Sequence, residues 1–166
     1  MSKIHRLAGV SLATALAFGL ATSANAQLLQ HKDLSSAIAR TIALTAIDAC
    51  KEAGYNVSVH VVGRNGEVLV GLRHHAAGVN TFENSWKKAY TSRTFRIASG
   101  KFAENVGQNP VAGQLFLANI TAARGALPIM IGEETIGAVG VSGAPGGDKD
   151  EVCAQAGIDK VKDQLH

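Results

Sequence analysis

Apolar positions recur at helical spacing over Leu34, Ile38, Ile42, Thr45 and Ala49, with many alanines between them. This predicts a helix from Leu34 to about Ala53 with a face small enough to lie close on a sheet. Asp33 is placed to cap it, and Gly54 to end it in a left-handed turn. The period then shortens to two. Val57, Val59 and Val61 fall on one side of a strand, and Ser58 and His60 on the other. Arg64-Asn65-Gly66 supplies the positive φ angles of a tight hairpin turn. Glu67 to Arg73 is the returning strand. Simple alternation puts Val68, Val70 and Leu72 on one face, and Leu69, Gly71 and Arg73 on the other.

A second helix is predicted to start at Gly78 or Asn80, with Val79, Phe82, Trp86, Ala89 and Tyr90 as its apolar stripe and a break at Ser99-Gly100. Lys101 to Gln108 reads as loop or a helical fragment. Asn109-Pro110 reads as a cap and first-turn proline for a short helix to about Leu117. From Ala122 to Ser142 the pattern is β again, with Gly132-Glu133-Glu134 as a turn. Gly143 to Gly147 forms a loop. Asp148, with Glu151 three residues on, is spaced to cap a last helix whose buried stripe is Ala154, Ile158, Val161 and Leu165.

The order is helix, hairpin, helices, two or three strands, helix. That is an α+β chain with an antiparallel sheet of about five strands. The N- and C-terminal helices are expected to pack together on one side, with the middle helices at a pocket on the other side or the rim.

Before this domain, Lys3 and Arg6, the apolar run from Leu7 to Leu20 and Ala24-Asn25-Ala26 have the form of a secretory signal peptide. The run is too short to span a bilayer. The expected organisation is therefore a leader over residues 1–26 and one domain over residues 27–166, periplasmic or secreted, with no membrane insertion after cleavage. The leader holds two of the 16 basic residues and none of the 13 acids. The formal charge of +3 thus falls to +1 without it, and nucleic-acid binding loses its support. Export would place Cys50 and Cys153 in an oxidising compartment, where a disulfide between the first and last helices is the natural pairing. Two buried thiols that never meet are the alternative. The absence of C-x-x-C-H and C-x-x-C excludes c-type haem attachment and thioredoxin-like chemistry.

Candidate chemistry concentrates between Arg73 and Arg96. His74 and His75 are potential metal ligands at a strand end, where alternation would point them in opposite directions. Arg73, Lys87, Lys88, Arg93 and Arg96 are donors suited to an anion. Tyr90, Trp86, Phe82 and Phe95 can wall an apolar slot, and Thr91 adds a hydroxyl. Solvated histidines, a solvated helix face and ordinary core aromatics are the plain alternatives. His60 is open between pocket and packing. Gly140-Val141-Ser142-Gly143 is a structural turn before a ligand contact. It matches neither a dinucleotide fingerprint nor a nucleophile elbow. No paired-carboxylate or H-E-x-x-H pattern is present.

Three blocks carry a family resemblance: Val61-Val62-Gly63-Arg64-Asn65-Gly66; Arg73 through Lys88-Ala89-Tyr90-Thr91-Ser92; and Leu127-Pro128-Ile129 with Ile136-Gly137-Ala138-Val139-Gly140-Val141-Ser142-Gly143 and Asp148. With them the chain resembles the GlcG/HbpS-like family of small haem-binding proteins, which includes the C-terminal domain of PduO-type proteins. The resemblance implies a profilin-like fold, homo-oligomers and non-covalent haem, with corrinoid as a lesser possibility and a Thr or His nearest the metal. The family threonine corresponds to Thr91. The chain departs from the family at Gly63, where Asp is common, and at Arg73-His74-His75-Ala76-Ala77, where the family often reads R-M-D-x-A.

The expected function is that of an exported haem-binding protein for storage, buffering or delivery. His74 or His75 would be the iron ligand and Thr91 the next candidate. Arg73, Lys88 and Arg93 would hold the propionates, and Tyr90 would lie against the ring. A metal-free binder or sensor of a small hydroxy- or dicarboxylate is the first alternative. A haem-degrading or peroxide-handling enzyme is the second, and a purely structural partner protein the last.

Overall fold

The computed structural model describes residues 29–109 and 113–166. The expected leader and Pro110 lie outside them. Four helices and four strands follow in the order α1 (Ser36–Glu52), β1 (Ser58–Val62), β2 (Val68–Arg73), α2 (Thr81–Phe95), α3 (Ser99–Gly107), β3 (Ala126–Ile131), β4 (Glu134–Ser142) and α4 (Gly147–Lys160). Gly113–Phe116 is a 3₁₀ turn. The strands form one antiparallel sheet in the order β2-β1-β4-β3. The fold is α+β as expected, with four strands where about five were anticipated, because the β stretch begins at Ala126 and makes only one hairpin.

The helix ends differ from expectation in detail. Ser35, not Asp33, caps α1, accepting the Ile38 N–H on its hydroxyl. Asp33 is instead held by Arg64. Gly146 takes the cap position of α4, which leaves Asp148 inside its first turn, where its charge suits the helix dipole. Ser99 and Gly100 open α3 rather than merely ending α2.

α1 and α4 lie side by side on one face of the sheet. Ile42, Ala43, Ala46, Val57, Val59, Val61, Val139, Val141 and Ala154 form the main core there. The two helices touch closely at Gly157, where a Cβ would stand 2.6 Å from the Ile42 carbonyl. Cys50 and Cys153 are joined across this contact, with Cα atoms 5.5 Å apart.

α2 covers the other face, and it does so with a stripe the apolar pattern did not pick out. Its buried residues are Thr81, Ser85, Lys88, Ala89, Thr91 and Ser92. The cause is proximity: a Cβ at Gly140 of β4 would be 2.2 Å from the Ser85 carbonyl and 2.7 Å from the Ala89 nitrogen. Large side chains cannot enter that gap, so Phe82 and Trp86 are turned to its margin. The small polar side chains bond across it. Thr81 Oγ1 donates to the Gly78 carbonyl, so Ser58 Oγ donates to Thr81 Oγ1, 2.8 Å away. Ser85 Oγ lies 2.8 Å from His60 Nδ1, and Asn84 Nδ2 donates to Ser142 Oγ at 3.0 Å.

The ammonium of Lys88 reaches past the sheet. It donates to the Val141 carbonyl at 3.0 Å and to Asp150 Oδ2 of α4 at 2.8 Å. Asp150 Oδ1 accepts the Ala144 N–H at 3.0 Å. Both side chains are buried. Burial pushes the Asp150 carboxyl above its usual range, while Lys88 and the Ala144 N–H pull it back. Gly125 leaves room for the bridge, because a Cβ there would meet Lys88 Nζ at 2.6 Å.

Three outcomes follow from this packing. Reduction of Cys50–Cys153, whose half-cystines are 103 residues apart, is expected to cost on the order of 4 kcal/mol. It should lower Tm by roughly ten degrees in a thermal melt with and without reductant. Lys88→Met strands a buried carboxylate and should destabilise by about 3–5 kcal/mol. Lys88→Met with Asp150→Leu should recover most of that in urea unfolding. Burial lowers the His60 pKa to about 4. The unfolded chain therefore takes up a proton below about 6.5 that the folded chain refuses. Stability is full above that pH and falls by about 1.4 kcal/mol per unit from 6.5 towards 4. His60→Asn should flatten this slope in urea melts at stepped pH.

Candidate functional site

The rotation of α2 leaves an aromatic strip along its outer margin. Phe82, Trp86 and Tyr90 follow one another at one-turn spacing, and Phe82 is 41% exposed. The Trp86 and Tyr90 ring centroids are 6.2 Å apart. The strip borders edge strand β2. Phe82 stands over Gly71, and Tyr90 stands over Gly66, where added Cβ atoms would be 3.0 Å and 2.7 Å from the rings. Trp86 also packs on Val62, Ala89 and Ala138, the small second core.

A bulge in the first hairpin adds a residue to this surface. Val61 pairs with Val70 and Val62 with Val68, which leaves Leu69 between them. Leu69, Val70 and Leu72 all pack on the main core. Val68 is thereby shifted to the α2 side and left half exposed, contrary to simple alternation.

The predicted residues divide between the two ends of the strip. Arg73 ends β2, and His74 and His75 follow it, His74 within reach of the charge of Lys51 at the end of α1. The strand stops at Arg73 and the chain turns, with the Ala77 N–H bonding the His74 carbonyl. The histidines therefore do not point in opposite directions. Their rings lie face against face, tilted by 34° with centroids 4.2 Å apart. Partial burial, His75 and Lys51, in that order, lower the His74 pKa. Its Nδ1 accepts the Ala76 N–H at 3.3 Å. The Arg73 guanidinium donates to the Ala77 carbonyl.

Tyr90 and Arg93 stand at the other end, by the hairpin turn. Arg64, Arg93, Arg96, Glu133, Glu134 and Thr135 line a cavity of about 310 Å³ there. Arg64 is tied to Asp33 and Glu134. Burial first, then the charges of Arg96 and Arg64, lower the Arg93 pKa. Arg96 ends α2 in the left-handed conformation, φ 59°, which is uncommon for a residue other than glycine.

Two other predicted residues face inward. Lys88 belongs to the Asp150 bridge, and its ammonium is away from the strip. Thr91 is fully buried; its hydroxyl donates to the Lys87 carbonyl at 2.8 Å and accepts the Thr121 N–H at 3.0 Å.

Glu67 shows how the chain accommodates Gly63. Its carboxylate accepts the Asn65 N–H at 2.9 Å and lies 2.3 Å from where a Cβ at position 63 would be. An acid is thus present at the turn, supplied from the returning strand. Glu67 and Asp150 are not picked out by the sequence pattern: Glu67 folds back on its own turn, and Asp150 is placed by Lys88, 62 residues away.

The strip also holds two buried N–H groups, Trp86 Nε1 and Arg93 Nε, with no acceptor among the described residues. Buried donors are normally satisfied. Two orphans beside partly buried aromatics mark a surface that a ligand with acceptor groups would complete. No group of three or more His, Cys, Asp or Glu capable of holding a bare metal ion occurs among the described residues.

The architecture recurs in known proteins. HbpS superposes with a TM-score of 0.76 at 32% identity, over 80% of this chain and 93% of that one. A Streptomyces reticuli HbpS double mutant gives 0.77 at 29% identity, over 92% and 97%. The PduOC:haem complex gives 0.70 at 22% identity, over 76% and 94%, a likeness of fold alone. No curated protein matches the chain. Residues 34–159 match the family described as "Haem degrading protein HbpS-like", and the chain belongs to that family.

Proposed function

We propose that this protein binds haem non-covalently on the aromatic strip of α2 and β2. The observation that carries the reading is the strip itself. An apolar surface is edged by imidazoles and an arginine at one end and by arginines at the other, and it holds orphan donors. A flat apolar macrocycle with two carboxylates on one edge requires apolar walls and cations at one end. Family membership supports the same ligand. Phe82, Trp86, Tyr90 and Val68 would lie against the ring. Arg93, with Arg96 at the same end, would take the two propionates, which leave one edge of the ring; Arg73, at the other end, is not placed to share them. The iron would face the end of the strip that carries His74 and His75. Lys88 supports this surface from beneath by fixing α2. Thr91 does the same through the Thr121 N–H.

The wider role in this reading is storage, buffering or delivery of haem outside the cytoplasm, by a homo-oligomer released from its leader. The signal-peptide pattern and the Cys50–Cys153 bond support export. No helix among the described residues is long and apolar enough to cross a membrane.

One observation favours a second reading. The cavity where Arg93 and Arg96 stand with Glu133 and Glu134 is where a small hydroxy- or dicarboxylate would bind without metal, taking the arginines that the glutamates leave free. Titration of residues 27–166 with haemin decides between them. A saturable Soret shift that weakens by about tenfold or more in Trp86→Ala is the expected result, since aromatic truncations of this kind remove about 1.5 kcal/mol or more of contact. No shift, together with thermal stabilisation by a dicarboxylate, would replace haem with the carboxylate.

A further inference from the structure

Two adjoining cavities share the Arg93 guanidinium. The larger is the one of about 310 Å³ that opens between the end of α2 and the β3–β4 turn. The smaller, of about 140 Å³, lies at the first hairpin turn, and Tyr90 makes part of its wall. Tyr90 is also the last ring of the aromatic strip. The strip therefore runs into the smaller cavity, and Arg93 connects that cavity to the larger one.

The three arginines of the larger cavity are not equally available. Arg64 is spent: it donates to Asp33, to Glu134 and to the Lys32 carbonyl. Arg93 is not, since its buried Nε has no acceptor among the described residues. Arg96 is exposed at the end of α2, and its left-handed backbone keeps it at the cavity. A guanidinium with a free N–H edge suits a carboxylate, which it can grip with two parallel bonds.

Thr135 adds a third donor. It is buried, and its hydroxyl donates to the Met130 sulfur at 2.9 Å. A thioether is a weak acceptor, so a carboxylate oxygen within reach would take that proton instead. Against these donors stands Glu133, exposed beside them. Three guanidinium charges face those of Asp33, Glu133 and Glu134. An anion is thus held there by directed hydrogen bonds more than by net charge, and a compact one that leaves Glu133 in water fits best.

The two free arginines are also those that would take the haem propionates. A guanidinium between two carboxylates compensates one of their charges, and carboxylates brought that close repel each other. We infer that a small dicarboxylate in the larger cavity competes with haem for Arg93 and Arg96 and so regulates haem release, an inference that rests on the haem-binding reading above. Haem is kept where the anion is scarce and given up where it is abundant. The ring contacts of the strip are untouched by the anion, so the antagonism levels off at the affinity that haem retains without these arginines.

The test is haemin titration of residues 27–166, read in the Soret band, in rising succinate and in sodium chloride of equal ionic strength. Wild type, Arg93→Gln and Thr135→Val are compared, with near-ultraviolet circular dichroism to check that each is folded. Succinate is expected to raise the apparent Kd of haemin by about tenfold or more before levelling off, the value of a hydrogen-bonded charge, and chloride is not. Arg93→Gln should bind haemin about tenfold more weakly and lose most of its response to succinate. Thr135→Val, which removes a donor to the anion and keeps both arginines, should weaken the succinate response more than it weakens haemin binding. Equal titrations in succinate and chloride, or a succinate response undiminished in Arg93→Gln, would overturn the inference and leave haem binding intact. An absence of saturable haemin binding by wild type in chloride would overturn both.

Discussion

The structure hangs on one buried charge pair. Lys88 of α2 and Asp150 of α4 belong to helices on opposite faces of the sheet, and their 2.8 Å contact ties those faces together. The Val141 carbonyl and the Ala144 N–H complete the bonding of both groups. A buried pair of this kind adds little net stability by itself, because desolvation offsets the attraction. Its value is positional. An ammonium that must reach Asp150 permits only one rotation of α2 about its axis.

That rotation accounts for the candidate site. With Lys88, Ser85 and Ala89 directed at the sheet, one-turn spacing carries Phe82, Trp86 and Tyr90 to the margin beside β2. Close approach at Gly140 reinforces the choice, since only small side chains fit between α2 and β4. The aromatic surface is therefore a consequence of burying a polar stripe. The same contact seats Ser85 against the buried imidazole of His60.

Much of the scaffold can be read from local pattern. The first hairpin is announced by Val57, Val59, Val61 and Asn65-Gly66, and the terminal helices by apolar stripes at helical spacing, alanine-rich in the first. Two helices meant for the same face leave the Cys50–Cys153 bond open against two separate thiols, and the structure joins them. The site is less legible because its determinants are non-local. Phe82 and Trp86 look like core until the approach of Gly140 is known. Lys88 looks like a surface donor, since its partner lies 62 residues away. A single bulge at Leu69 moves Val68 to the other face, a shift that unbroken alternation does not predict. His74 and His75 stack because the chain turns directly after Arg73, so strand alternation does not extend to them.

The most direct test of haem on this strip uses Trp86, the single tryptophan of the chain, which sits in its middle. Bound haem is an efficient acceptor of indole emission at contact distance. The account predicts saturable quenching of Trp86 fluorescence by haemin, with little quenching by a dicarboxylate. Emission that is unchanged by haemin, or that falls without saturating, would contradict it.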